Sequence, residues 1–366
     1  MIPMVDLQRQ YRILKDDIDA AIQAVLDSAQ FILGPNVAEL EKEIAAYHDV
    51  SHAIGVASGT DALLLALRAC GIGAGDEVIT TPFTFIATAD VLSLLSAVPV
   101  FVDIAPETFN IDPRKIEEKI TGKTKAIIPV HLFGHPVDMD PIVDLALKYS
   151  LKIIEDCAQA FGATYHGKKV GAIGDCGCFS FFPSKNLAGY GDGGIIITSN
   201  DDTAKHIRLL RNHGSAVRYH HTILGYNSRL DEIQAAIIRV KMKKIDEFNQ
   251  RRRINADLYR DLIKRDDVAL PVEMPGYKHV YHQFTIRSKN RDGIMNALKN
   301  NNISSAIYYP VPLHQQEVFI CRNISSENLI NSEICAAEVL SLPMFPELTA
   351  EQIAYVADAL TLNRKP

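Results

Sequence analysis

Between residues 50 and 200, short apolar runs alternate with stretches in which apolar residues recur at helical spacing. HAIGV (52–56), DEVIT (76–80), VPVFVDI (98–104), TKAIIPV (124–130), LKIIED (151–156) and GGIIITS (193–199) are rich in β-branched residues and predict strands. DALLLALRAC (61–70), ATADVLSLLSA (87–97), PRKIEEKI (113–120) and DMDPIVDLALKYS (138–150) predict helices between them. This alternation predicts an α/β domain with a largely parallel sheet covered on both faces. The closely spaced strands at 170–199 leave room for an antiparallel member.

The pattern changes after residue 200. DDTAKHIRLLRNHG predicts a helix stopped by Gly214, and the helical pattern over 228–265 is long enough to bridge two domains or to be broken once. From about 270, strand HVYHQFTIR, helix RDGIMNALKNN, strand ISSAIYY and helix TAEQIAYVADAL predict a compact α+β unit. The expected organisation is a large domain over 1–250 and a smaller C-terminal α+β domain over 251–366.

Composition narrows the class. A formal net charge of −6 and a pI near 6.1 lack the basic excess of a nucleic-acid surface. The opening MIPMVDLQRQYR becomes charged at once and lacks the apolar core of a secretion signal. The longest apolar stretch, 91–102, contains Pro99 and is too short to span a bilayer. A cytoplasmic protein with no nucleic-acid or membrane partner is expected. Cys176 and Cys178 form CxC without a matching second pair, so the six cysteines read as reduced thiols and no metal site is expected.

Three short stretches carry candidate chemistry. Asp156 closes the apolar run LKII, at the carboxyl end of an expected parallel strand, where open α/β sheets bind ligands. Ser58-Gly59-Thr60-Asp61 precedes an apolar helix, where free backbone N–H groups make an anion site and a missing side chain at Gly59 would admit the anion. In SFFPSKNLAGYGDGG (180–194), Lys185 stands among serines, aromatics and glycines with no acid before Asp192. An amine becomes nucleophilic near neutral pH when desolvation depresses its pKa. An anion site, a strand-end acid and a lysine in an uncharged pocket match what pyridoxal 5′-phosphate requires. A dinucleotide enzyme would instead need GxGxxG after the first strand, and GIGAGDE (71–77) precedes a strand and has the wrong spacing.

SGTDALLLAL, VITTPFTFIATA, PVHLFGHPVDMD, EDCAQAFGA, SFFPSKNLAGYGDGG, LRNHG and GYNSRLDEIQAAI follow one another as in the DegT/DnrJ/EryC1/StrS sugar aminotransferases, and the chain resembles that family over nearly its whole length. The resemblance implies the fold type I, aspartate-aminotransferase-like architecture. It implies that Lys185 forms the Schiff base with pyridoxal 5′-phosphate and shuttles the proton, and that Asp156 pairs with the ring nitrogen. Gln159 would pack near the ring and Phe85 would stack on its other face. Gly59, Thr60 and Ser180 would hold the phosphate. Asn227 would reach the phosphate and Arg229 a substrate carboxylate in the neighbouring subunit's site, making the active unit a homodimer. Tyr219, His220, Tyr309 and His314 would shape the sugar–nucleotide pocket, although His220-His221 reads equally well as a polar loop.

The implied reaction passes the amino group of glutamate, through pyridoxamine 5′-phosphate and with release of 2-oxoglutarate, to a nucleotide-linked keto sugar. The product is an amino sugar for cell-surface polysaccharide or lipopolysaccharide. The stretch HGSAVRYHHTILGYNSRLDEIQAAI is most similar to members acting on C3 of UDP- or dTDP-linked 3-keto sugars. UDP-3-keto-N-acetylglucosamine and its uronate are candidate acceptors. The alternatives are a C4-specific member and a non-catalytic regulatory relative.

Overall fold

The computed structural model describes residues 1–322 and 327–361. Two helices, α1 (Leu7–Ser28) and α2 (Pro35–His48), precede the sheet. The alternating region follows as β1 (His52–Val56), α3 (Gly59–Ala69), β2 (Glu77–Thr80), α4 (Ala87–Leu94), β3 (Val98–Phe101), β4 (Thr124–Ile127), α5 (Asp140–Tyr149) and β5 (Lys152–Asp156). A two-residue pair, β6 (Thr164–Tyr165) and β7 (Lys168–Lys169), leads to β8 (Cys176–Ser180), β9 (Gly194–Thr198) and α6 (Asp201–Leu210). The main sheet has seven strands in the order β1-β9-β8-β5-β4-β2-β3. β9 runs antiparallel to both its neighbours, and the remaining strands share one direction. The carboxyl ends of β1, β2, β5 and β8 therefore open onto one edge of the sheet.

α3 illustrates why the sequence folds this way. The Ser58 hydroxyl accepts from the Asp61 N–H at 3.0 Å and fixes the start. Ala62 through Leu67 are then all buried, because the helix lies over β8 and β9 and beneath α4 and α6. Each fully buried leucine there contributes about 1.5–3 kcal/mol. Two glycines allow the close approach: a Cβ at Gly194 of β9 would lie 2.3 Å from the Ser58 carbonyl oxygen, and one at Gly59 would lie 2.6 Å from Ser180 Cβ. Gly59 thus has a packing role beyond the one expected from the sequence. Its bare Cα seats the helix against β8.

Beyond α6 the chain forms a hairpin of β10 (Ser215–Val217) and β11 (His220–His221), which the sequence pattern did not predict. The long helical pattern is broken once, into α7 (Glu232–Met242) and α8 (Ile245–Leu262). β12 (Tyr277–Lys278) adds to the β6–β7 pair, and β13 (Phe284–Arg287) is followed by α9 (Arg291–Asn300), α10 (Glu317–Ile320), α11 (Ile330–Glu338), β14 (Val339–Leu342) and α12 (Ala350–Thr361). β13 pairs with β14, and the expected strand over 303–309 makes two isolated bridges, Ile303 to Ile2 and Ala306 to Ser341. Residues 113–120, predicted as one helix, form two 3₁₀ turns with a Pro113 start. One buried cluster gathers Ile2, Tyr259, Phe284, Ile286, Leu298, Leu342 and Val356, and Ile2 pairs with Ile303, so the first residues pack with the C-terminal unit. Among the described residues no helix is long and apolar enough to cross a membrane.

Candidate active site

The carboxyl edge of the sheet holds a cavity of about 450 Å³. Gly59, Thr60, Phe85, Asp156, Gln159, Ser180, Lys185 and Tyr309, all singled out from the sequence, line it together. They come from distant parts of the chain and meet only because the strand ends share one edge.

Lys185 sits on the loop after β8. Its own N–H donates to the Phe182 carbonyl at 2.8 Å. The loop is pinned on the next residue: Asn186 Nδ2 donates to Asn249 Oδ1 on α8 at 2.8 Å and to the Val280 carbonyl at 3.0 Å. Further on, Gly189 N–H bonds to the Phe181 carbonyl and Tyr190 N–H to Gln234 Oε1 on α7. These anchors hold the lysine in the cavity with no protein hydrogen bond to its amine among the described residues. Burial pulls its pKa from 10.5 down to about 8, and the charge of Asp156 opposes that fall.

Asp156 is the last residue of β5 and is 6% exposed. The strand end is fixed against the segment after β4, by Asp156 N–H to the Pro129 carbonyl at 2.9 Å and His131 N–H to the Asp156 carbonyl at 3.0 Å. Oδ2 accepts from the Thr88 hydroxyl at 2.8 Å and Oδ1 from the Ala158 N–H at 3.1 Å. Burial raises its pKa, while those two hydrogen bonds and the charge on Lys185 pull it back down. Beneath it, Glu155 faces the other side of the strand. It accepts from His131 Nε2 at 3.0 Å and from the N–H groups of Gly171, Ile173 and Gly174 at 2.7–2.8 Å. His131 Nδ1 accepts from the Val137 N–H, so its proton is on Nε2. His131, Glu155 and Cys157 lie close enough to suggest a metal cage, but the imidazole and carboxylate are already taken by internal bonds and burial holds the thiol protonated.

Gln159 bridges two walls: its Oε1 accepts from the Phe133 N–H at 2.7 Å and its Nε2 donates to the Tyr309 hydroxyl at 3.0 Å. Phe85, 54% exposed, presents its ring to the cavity 6.2 Å from that of Tyr309. At the opposite end lie the first turn of α3, with N–H groups that have no intrahelical acceptor, and the Ser180 hydroxyl.

Five expected residues lie outside the cavity lining of this single chain. Tyr219 and His220 are exposed on the β10–β11 hairpin. Asn227 is exposed in the segment after it, bridged to Asn212, and Arg229 makes a long bond to Asn212 Oδ1 at 3.4 Å while its Nε has no partner among the described residues. His314 is buried and bonds to Glu333 at 3.0 Å. Ser58, read from the sequence as part of the anion site, lines the cavity too, and Thr84, Thr88, Phe182, His282 and Gln283 join it without having been singled out. Thr84 and Thr88 carried a legible signal, two hydroxyls four residues apart at a helix start. His282 and Gln283 carried none, because the C-terminal unit brings them in from a distant part of the chain.

The chain matches the model of the DegT/DnrJ/EryC1/StrS aminotransferase family over residues 12–361. It is 50% identical to a pleiotropic regulatory protein of Geobacillus stearothermophilus, covering 98% of this chain and 97% of that one. It is also 50% identical to the UDP-N-acetyl-3-dehydro-α-D-glucosamine 3-aminotransferase of Acidithiobacillus ferrooxidans, over the same shares of both chains. Among solved structures it is similar to DesV of S. venezuelae in complex with a ketimine intermediate, with a TM-score of 0.96, 42% identity and coverage of 98% of this chain and 97% of that one. Aminotransferases of this family depend on pyridoxal 5′-phosphate. The residues present fit that group: an unbonded amine at one point of the cavity, a buried carboxylate on its floor, and a helix N-terminus with a serine hydroxyl at its end. The chain belongs to the DegT/DnrJ/EryC1/StrS aminotransferase family.

Proposed function

We propose that this chain transfers the amino group of glutamate to the 3-keto group of a UDP- or dTDP-linked sugar, as one half of a homodimer. The observation that carries the reading is Lys185, an amine that burial leaves partly neutral near pH 8, in one cavity with a buried carboxylate. When bound, pyridoxal 5′-phosphate supplies an electron-accepting ring on which a proton next to an amino group can be lost. The chain supplies the rest. Lys185 Nζ accepts that proton when neutral and returns it from the ammonium form. Asp156 stabilises positive charge on the ring nitrogen through an ion pair in a site of low dielectric. The first turn of α3 and the Ser180 hydroxyl hold the phosphate, with Gly59 and Thr60 contributing backbone N–H groups. Phe85 and Gln159 take opposite faces of the ring.

The 3-keto assignment is supported by the stated activity of the Acidithiobacillus ferrooxidans relative and by the stretch from His213 to Ile237. The dimer is supported by Asn227 and Arg229, which lie outside the cavity lining of their own chain. Arg229 has an unpaired Nε and a fork suited to the carboxylate of glutamate. Tyr219, His220 and His314 would join the sugar–nucleotide pocket in that assembly. The separate C-terminal core supports a division into two domains near residue 250, with the first residues belonging to the smaller one. The negative charge and the absence of a membrane-crossing helix among the described residues are in keeping with a cytoplasmic location.

Borohydride reduction of the cofactor-loaded protein should add the mass of the reduced cofactor to the peptide containing Lys185. Incubation with glutamate and a panel of UDP- and dTDP-linked 3-keto and 4-keto sugars should yield aminated product from the 3-keto compounds. Reduction without added mass at Lys185 refutes the site, and loading without amination of any sugar favours the regulatory role carried by the Geobacillus stearothermophilus relative.

A further inference from the structure

Thr84 lies just before α4 and Thr88 is its second residue, and neither hydroxyl caps the helix. The N-cap position is Ile86 and no side chain caps the helix. Instead, Thr88 Oγ1 lies 2.8 Å from Asp156 Oδ2, and Thr84 Oγ1 lies 3.0 Å from Thr88 Oγ1. Both threonines are 3% exposed or less, and both line the cavity. An ionised carboxylate only accepts, so the one hydroxyl proton of Thr88 is committed to Asp156. The Thr88 oxygen must then accept from Thr84, and the direction of the chain is fixed as Thr84 to Thr88 to Asp156. Donors arranged in series polarise one another. The other carboxylate oxygen takes the Ala158 N–H at 3.1 Å, so the carboxylate is held at both oxygens.

We propose that Thr88, backed by Thr84, is a positioning residue for Asp156, keeping its carboxylate ionised and aimed at the ring nitrogen of the bound cofactor. The proposal rests on the reading of Asp156 given above. A buried carboxylate without hydrogen bonds takes up a proton, and a neutral acid cannot stabilise a charged ring nitrogen. The threonine pair prevents this from α4 and the residues just before it, elements separate from the loop that carries Lys185.

The test is the affinity of the full-length protein, stripped of cofactor, for pyridoxal 5′-phosphate, titrated between about pH 5 and 9, across the range in which a raised carboxyl pKa shows. Thr88→Val keeps the shape and removes the hydroxyl; a hydrogen bond to a charged group is lost, so binding at neutral pH should weaken about tenfold or more. The acid limb of the profile should also move to higher pH, because Asp156 takes up its proton earlier. Thr88→Ser should stay within about threefold of the parent and keep the acid limb in place, since the donor remains. Thr84→Val should shift the limb in the same direction by a smaller amount. A Thr88→Val protein with unchanged affinity and an unmoved acid limb overturns the proposal, provided that Asp156→Asn binds weakly. If Asp156→Asn itself binds as the parent does, the reading of Asp156 fails first. Should Thr88→Val not fold, Thr84→Val decides: an unmoved limb there removes the relay.

Discussion

Burial of Lys185 should make the cofactor-free protein pay for its charge, and that cost is measurable. A fall in pKa from 10.5 in the unfolded chain to about 8 in the folded one corresponds to about 3 kcal/mol by which the charged amine disfavours folding. Because the folded state binds fewer protons than the unfolded one between those values, stability rises with pH across that window. Below pH 8 the amine is charged in both states and the full cost is present; above 10.5 it is neutral in both and the cost is gone. Lys185→Met keeps the length of the side chain and removes the amine. The variant should therefore be more stable than the parent by about 1–3 kcal/mol below pH 8, the lower end allowing for water in the cavity, with the difference shrinking as pH rises toward 10.5. Urea unfolding of the two cofactor-free proteins at several pH values measures this directly. A stability difference that does not depend on pH would show that Lys185 is not desolvated, and would remove the physical basis for its reactivity.

Three further outcomes are expected. Gly59→Ala places a Cβ 2.6 Å from that of Ser180, so the start of α3 must shift; stability should drop by about 1–3 kcal/mol and affinity for the cofactor's phosphate should fall, both read by titration and unfolding. Glu155→Gln removes the charge that draws three backbone N–H groups and His131 together under Asp156, and should destabilise the fold by about 3 kcal/mol or more, whereas an unchanged urea midpoint would mean that the network is idle. Arg229→Ala should raise KM for glutamate without changing cofactor affinity, and sedimentation should find the parent protein as a dimer; an unchanged donor KM, or a fully active monomer, contradicts the shared-site reading.

The alternation of strands and helices was legible from residue 52 to 198 because buried parallel strands are written as continuous apolar runs. Asp156 was legible for the same reason: it is the second of two acids that follow the apolar run LKII, and it is the last residue of β5. Short elements were not. β10 and β11 are only three and two residues long and mostly exposed, so their pairing leaves no alternating apolar signature, and β6 and β12 have only two residues each. The 3₁₀ turns at 113–119 carry the same apolar spacing as a helix, but Pro113 and the Ile120 break leave no room for a longer one. His282 and Gln283 reach the cavity through the docking of the C-terminal unit, which no local pattern encodes. The packing role of Gly59 was not legible, because a sequence shows that a side chain is missing without showing which atom would meet it.

One physical cause accounts for both perturbed groups at the centre of the site. The burial that pushes Lys185 down pushes Asp156 up, and each group's charge opposes the shift of the other. Left alone, such a pair drifts toward its neutral forms, an amine and a carboxylic acid. The amine form is the one that attacks a carbonyl, so the drift at Lys185 serves the chemistry. The acid form at Asp156 does not, because only a carboxylate stabilises a charged ring nitrogen. The protein therefore has to treat the two ends differently, and it does: Lys185 receives no hydrogen bond among the described residues, while Asp156 receives two. That asymmetry in hydrogen bonding, rather than burial itself, separates a nucleophile from a counter-ion within one cavity.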